Sequence, residues 1–462
     1  MSKSKEIKVC LIVDNPIRDL AGLVHLAADL SRSSMKVYLV PQYDQAFEIP
    51  ALLPDYVFVN YARQNNAWLI KYYWSLGIKV IILDTEGLPG LDHKKFASRV
   101  KTLSLKPYIA KYLFWGENQA QAFKDQRVFD STQIQIVGNP RYDFCYPELQ
   151  DALGSEELEE YILINTNFPL ANPRFSEGSS NEIDSVVQAG YGSELAHRVV
   201  GGQKKAFKEM LELIKKILRK FPDERVVVRP HPFESLTPYT DALGLHKNCE
   251  VTNRESSLEA IYKCKLLIHL NCMTAVEAFM LGKISLTPQF LNSAENRELG
   301  AFDKCSIACK DFEEVAMSIQ GSISEMQYSQ QVENLTKDFI KRNFNFPSQK
   351  CSVIVEEVLR EDSCRSSLYK SSGALARRLF YMPIRQMARI ILGAKGYYSL
   401  KAIFKDELKN GKSFKETDVS DLLTRISVSL GRRYVVSSAK RSDYPSRRLA
   451  RGSSLLVEEL SE

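Results

Sequence analysis

The chain has 462 residues, of which 44% are hydrophobic and 26% charged, and its net charge is +6. A single hydrophobic core rarely serves that length, and that balance excludes a disordered or collagen-like chain. No run of about 18 uninterrupted apolar residues is present, and the polar start leads straight into a short apolar strand, so neither a spanning helix nor a secretory leader is expected.

The charge is uneven. Residues 361–462 carry 20 Lys/Arg against 11 Asp/Glu, or +9, whereas the preceding 360 residues hold 42 against 45, or −3. Any argument about anionic partners therefore belongs to the tail. Nine cysteines are scattered without a C-x-x-C pair, the closest spacing being Cys305 to Cys309, and the six histidines lack metal-ligand spacing. Reduced, buried thiols in a cytoplasmic protein are expected, with no structural metal and no cofactor.

In chain order, β-branched runs predict strands at 8–14, 36–40, 56–60, 79–84, 112–115 and 133–137. Amphipathic stretches between them predict helices at 20–30, 66–75, 95–103 and 119–126. A second series follows a hinge at 147–160. Its strands fall at 161–165, 225–229, 250–252, 266–270 and 284–287, with helices at 203–220, 257–264, 274–281, 311–320 and 351–360. Short apolar strands alternating with helices imply buried parallel sheets. The expected architecture is α/β, with an N-terminal Rossmann-like domain over 1–150, a second over 151–360 and a basic, partly helical tail over 361–462. Residues 169–190, rich in Ser, Asn, Pro and Gly, read as a long loop. Two such domains facing a cleft would bind ligands at the C-terminal ends of their strands.

Several candidate site residues stand at those strand ends. The run RVVVRPHPFES over 225–235 ends a strand at Arg229 and flanks His231 with Pro230 and Pro232. The prolines restrict the backbone on both sides, so the imidazole and guanidinium are held where a phosphate would sit. A rigid turn with an incidental histidine is the structural alternative. The run LLIHLNCMTAVEAFMLGK over 266–283 leads from a strand through Asn271 to a helix starting at Thr274, with Glu277 in its first turn and Gly282 as its stop. Thr274 suits a phosphate, and Glu277 suits ribose hydroxyls or the helix dipole. His269 alternates with apolar residues and reads as a hydrogen-bonded core histidine. Asp84 and Glu86 lie just past the strand at 79–84, where a carboxylate could serve as general base or merely cap a turn. The element GNPRYD at 138–143 reads as architectural, while Asn165 and Asn167 point past the strand at 161–165, toward sugar or phosphate or toward loop backbone.

The combination of FWGE at 114–117, GNPRYD at 138–143, INTNF at 164–168, RPHP at 229–232 and the helix at 274–282 resembles the bacterial surface carbohydrate biosynthesis proteins. That family looks related to capsule-building Kdo transferases and to CDP-glycerol glycerophosphotransferases, and the resemblance spans residues 5–360. It implies a glycosyltransferase-B fold with a nucleotide-activated donor, preferably a cytidine nucleotide, in the second domain. It associates His231, Pro232 and Thr274 with the donor phosphate. In related sialyltransferases an acidic-acidic-glycine motif carries the base. Here that position reads Thr85-Glu86-Gly87, which leaves both Glu86 and Asp84 as candidates. No D-x-D loop stands out, so a metal-independent transferase is expected, with basic groups stabilising the departing phosphate.

In the tail, Leu375, Leu379, Met382, Met387, Ile390 and Ile391 fall on one helical face and Arg377, Arg378, Arg385 and Arg389 on the other, interrupted by Pro383. Such a helix suits an anionic membrane surface, peripheral on its inner face, or packing against the enzyme body. Residues 432–451 are basic and Ser-rich and are expected to be poorly ordered, and nucleic acid is not an expected partner. Three activities fit this reading. One is transfer of a sugar or polyol phosphate from a nucleotide donor to a glycan or lipid-linked acceptor. The others are nucleotide-sugar 2-epimerisation and a non-catalytic assembly role.

Overall fold

The computed structural model describes residues 6–85, 92–154, 160–174, 182–188, 192–292, 302–321, 326–364, 413–445 and 450–460. The chain divides into two compact units, Met1–Ala152 with Ile340–Glu462, and Leu153–Phe339. Each is a mixed α/β unit built on its own sheet, as the alternating pattern implied.

The first unit contains β1 (Ile7–Val13), β2 (Met35–Pro41), β3 (Tyr56–Val59), β4 (Lys79–Leu83), β5 (Lys111–Phe114) and β6 (Ile134–Ile136). These six are parallel, in the order β2-β1-β3-β4-β5-β6. Most of their side chains are buried, on both faces, which is why the strands read as continuous apolar runs rather than alternations. The helix Pro16–Arg32 begins where Asn15 accepts from the N–H groups of Ile17 and Arg18, with proline in its first turn.

The second unit contains β7 (Tyr161–Asn165), β8 (Val226–Arg229), β9 (Cys249–Val251), β10 (Cys264–His269), β11 (Ser285–Pro288) and β12 (Ile307–Cys309), all parallel, in the order β12-β11-β10-β7-β8-β9. The chain starts at the central β7, runs outward through β8 and β9, and then returns to the other side of β7 with β10. The reversal puts a topological switch point between β7 and β10, where ligands of open α/β sheets bind. The helix expected at 203–220 runs over Ser193–Lys220, and Gly282 takes a left-handed φ of 69° after the helix Thr274–Met280. Short elements escaped the sequence reading, among them β12 and the helices Gln45–Leu52 and Thr237–Leu243. These have too few residues to display a period.

Two expectations for the C-terminal quarter are corrected. The first concerns the boundary at 360: the chain re-enters the first unit at Ile340. Asp143 accepts from the N–H groups of Cys351 and Ser352 at 2.7 and 2.9 Å, capping the helix Cys351–Cys364 from 208 residues away. A Cβ on Gly116 would collide with the backbone of Arg342 and Asn343, so FWGE is a docking surface for this returning segment. GNPRYD is architectural as expected: Asn139 accepts from Arg141 N, and the Arg141 guanidinium lies over the Tyr142 ring at 4.8 Å.

The second correction is that residues 413–445 and 450–460 form defined elements. The helix Glu416–Leu430 buries Val419, Leu423 and Ile426, and β13 (Tyr434–Ser438) and β14 (Leu455–Glu459) extend the first sheet through an antiparallel β14–β2 pairing. Glu48, fully buried, accepts from Tyr444 OH at 2.8 Å, Arg451 N at 2.6 Å and Gly452 N at 2.8 Å, and from Ser454 Oγ. Serine and basic composition argued for disorder, but one carboxylate satisfied by four tail donors outweighs it. The amphipathic segment 371–396 lies outside the described residues. Among the described residues no helix is long and apolar enough to cross a membrane.

Candidate functional site

The switch point of the second unit gathers most of the residues singled out from sequence. Asn165 ends β7, Arg229 ends β8, and the turn after β10 carries Asn271 and leads into Thr274 and Glu277. Strand pairing sets Asn165 opposite Arg229 on one side and His269 on the other.

The side chains there are buried yet incompletely bonded. Asn165 is 1% exposed, and neither atom of its amide has a hydrogen-bond partner. The Thr274 hydroxyl and Arg229 Nε are likewise buried and unpartnered. A buried polar atom without a partner loses about 1–3 kcal/mol, and most native ones are satisfied. Three such groups at one sheet edge are what a polar ligand would complete.

Arg229 is anchored by a hydrogen bond from its guanidinium to Glu255 O at 3.0 Å. Burial pushes its pKa down from the usual value, an effect opposed chiefly by the carboxylate of Glu277. Glu277 itself is 2% exposed. It thus acts on the local charge balance at Arg229, a role the sequence reading did not assign.

His231 sits on a turn held by a residue that sequence reasoning passed over. Glu234 is fully buried and accepts from His231 N at 3.0 Å, Thr166 Oγ1 at 2.9 Å and Tyr239 OH at 2.5 Å. Burial raises its pKa, and burial followed by the Glu234 carboxylate raises that of Tyr239. The clue was present as an acid three residues beyond His231, but its partners Thr166 and Tyr239 are joined to it only by the fold. The N–H of Phe233 donates to His231 Nδ1 at 3.2 Å. A backbone N–H can only donate, so Nδ1 is the acceptor and the neutral ring carries its proton on Nε2. Half-buried Pro232 completes the turn.

The turn after β10 is built from similar long-range bonds. Asn271 adopts φ 49°, and its N–H donates to Asp303 Oδ1 at 2.7 Å. Asp303 also accepts from Thr287 Oγ1 at 3.1 Å and Asn292 Nδ2 at 2.6 Å. Asn167 donates to Asn271 O at 3.3 Å, so one amide proton of this candidate ligand residue ties the two turns together. His269 is the bonded core histidine expected: Nδ1 accepts from Cys272 N at 3.4 Å, and Nε2 lies 2.7 Å from Ser306 Oγ. Burial pushes its pKa down to about 4, against the opposing pull of Asp303.

In the first unit, Asp84 follows β4 and is 1% exposed. Its carboxylate accepts from Tyr112 OH at 3.2 Å, and its carbonyl accepts from Trp115 Nε1 at 2.6 Å. Burial first, and then Asp84, pushes the Tyr112 pKa up. Thr85 Oγ1 beside it is buried without a partner. Glu86, the other candidate base, lies outside the described residues. Asp84 therefore belongs to a different unit from the phosphate candidates.

No protein-family model matches the chain, and no curated protein matches it. Solved structures do. The UDP-GlcNAc 2-epimerase of Methanocaldococcus jannaschii, in complex with UDP-GlcNAc and UDP, is 15% identical with a TM-score of 0.43, over 72% of this chain and 99% of that one. The UDP-GlcNAc 2-epimerase of Neisseria meningitidis bound to UDP-GlcNAc is 13% identical with a TM-score of 0.44, over 77% and 100%. The wall teichoic acid polymerase TagF is 11% identical with a TM-score of 0.47, over 79% and 90%. At these identities and TM-scores none of them assigns an activity to this chain.

Proposed function

We propose that the second unit binds the phosphates of a nucleotide-activated sugar or polyol, and that the protein transfers the activated group to a hydroxyl of a glycan or lipid-linked acceptor in surface polysaccharide assembly. The observation that carries this reading is the set of buried, unpartnered polar groups of Asn165, Thr274 and Arg229 at the β7–β10 switch point. Two of them, the Thr274 hydroxyl and Arg229 Nε, are donors, and the third offers an amide N–H; together they suit an anion.

In this reading Arg229, the Thr274 hydroxyl and the Nε2–H of His231 donate to the phosphate oxygens and stabilise the charge that develops on the departing nucleotide. Glu277 receives ribose hydroxyls. Asp84 or Glu86 takes the proton of the acceptor hydroxyl as it attacks. A cytidine nucleotide is the first candidate, on the motif resemblance alone.

Calorimetric titration with CMP, CDP, UMP, UDP, GDP and ADP, with and without magnesium, tests the reading. Selective binding of cytidine nucleotides supports it and directs the search to CMP-sugars and CDP-alcohols. Conversion of a UDP-sugar to its C2 epimer without any acceptor would replace transfer by epimerisation. Failure of every nucleotide to bind would remove the nucleotide site and leave a non-catalytic role.

A further inference from the structure

Phe233 takes no part in the phosphate chemistry above. Its ring is 60% exposed, yet the backbone that carries it is held on every side. Its N–H donates to His231 Nδ1 at 3.2 Å, and its carbonyl accepts from Arg174 N at 2.8 Å. The next residue, Glu234, forms an antiparallel bridge with Pro173 and has its carboxylate clasped by Thr166, Tyr239 and the His231 N–H. Pro230 and Pro232 restrict the turn further.

A scattered exposed apolar side chain on a free loop needs no explanation. This ring differs because the turn beneath it is fixed. It is held 5.5 Å from the His231 ring at an interplanar angle of 40°. The turn follows Arg229 directly and is tied through Thr166, the residue after Asn165, to the unpartnered polar groups of the switch point. In a nucleotide sugar both the base and the sugar ring lie within a few bonds of the phosphates. A rigid aromatic face beside a phosphate site is therefore placed to meet one of them.

We infer that Phe233 is a stacking platform for a ring face of the bound ligand, which rests on the proposed nucleotide-sugar reading of the same site. The shared chemistry is a flat, weakly polar ring face, supplied by the π face of the nucleobase or by the C–H face of the transferred sugar. Such contacts act through shape and polarisability, so another aromatic residue should substitute for phenylalanine while alanine should not.

The test is calorimetric titration of the full chain, Phe233→Ala and Phe233→Trp, with CDP, UDP, a UDP-hexose, a CMP-sugar and inorganic pyrophosphate. Because the ring is exposed, the melting temperature of the alanine variant is expected to stay at the wild-type value. Phe233→Ala should weaken ring-bearing ligands by about tenfold, with Phe233→Trp close to wild type and pyrophosphate unaffected. A loss already present with CDP and UDP identifies the base, and a loss confined to the sugar-loaded ligands identifies the sugar. The inference is overturned if Phe233→Ala binds every ligand like wild type, if it weakens pyrophosphate equally, or if Phe233→Trp loses as much as alanine. Wild-type protein that binds none of these ligands removes the nucleotide site and the platform together, whereas wild-type binding with an unchanged alanine variant removes the platform alone.

Discussion

The two units each carry a reversal of strand order, and they treat the polar groups at that point in opposite ways. In the first unit, where β1 lies between β2 and β3, the groups bond one another. Asn15 caps its own helix, Asp19 accepts from Asn15 N, and Arg18 pairs with Asp19 at 2.7 Å. With its amide oriented to satisfy both atoms, Asn60 donates to Ile12 O and accepts from Asp14 N, each at 3.0 Å. In the second unit, Asn165, Thr274 Oγ1 and Arg229 Nε are left without partners. Satisfied groups stabilise the strand ends they join, whereas unsatisfied ones store interaction for something that arrives later. Topology alone marks two sites, and hydrogen-bond accounting separates them.

Mutation can break that contrast, and the largest effect belongs to the bonded side. Glu48→Ala strands the four donors of the tail that converge on it and is expected to lower stability by about 3–5 kcal/mol in a denaturant titration. A loss within surface-substitution range would mean that β13 and β14 dock without it. The unbonded side should behave in the opposite manner. Thr274→Val and Asn165→Leu replace unpartnered polar atoms by apolar ones of similar shape, so stability should stay within about 1 kcal/mol or rise. Nucleotide affinity should meanwhile fall by about tenfold for each lost hydrogen bond. A large loss of stability would show that these groups are structural after all.

A third effect is a pH dependence. His269 has a folded pKa of about 4, below its ordinary value of 6.5, so the unfolded chain binds its proton more readily. Its contribution to stability is complete above about 6.5 and is lost as the pH falls from there toward 4. His269→Gln, neutral throughout, should show a flatter decline of melting temperature over that window. Equal slopes for the two proteins would rule out His269 as the source.

Much of the fold was legible because it rests on local pattern. The apolar runs at 8–14, 79–84 and 161–165 appear as β1, β4 and β7, and the stop at Gly282 appears as a left-handed residue. The sequence also located the strand-end residues Asn165 and Arg229 and the helix-start residue Thr274. It could not tell that they are unpartnered, since the missing bond is a property of every neighbour at once. Glu234 and Asp303, which hold the two site turns, were passed over for the same reason: their partners stand up to 68 residues away.

The sequence by itself determined the period and the apolar faces of the longer elements, because residues 2 to 4 apart in the chain decide those. Only the tertiary structure decided that residues 340–364, 413–445 and 450–460 belong with the first unit. It also decided that a Ser-rich basic end forms two strands, and that one switch point is closed by its own side chains while the other is open. Those outcomes depend on hydrogen bonds such as Asp143 to Cys351 and Glu48 to Arg451, spanning 208 and 403 residues, which leave no periodic trace in the chain.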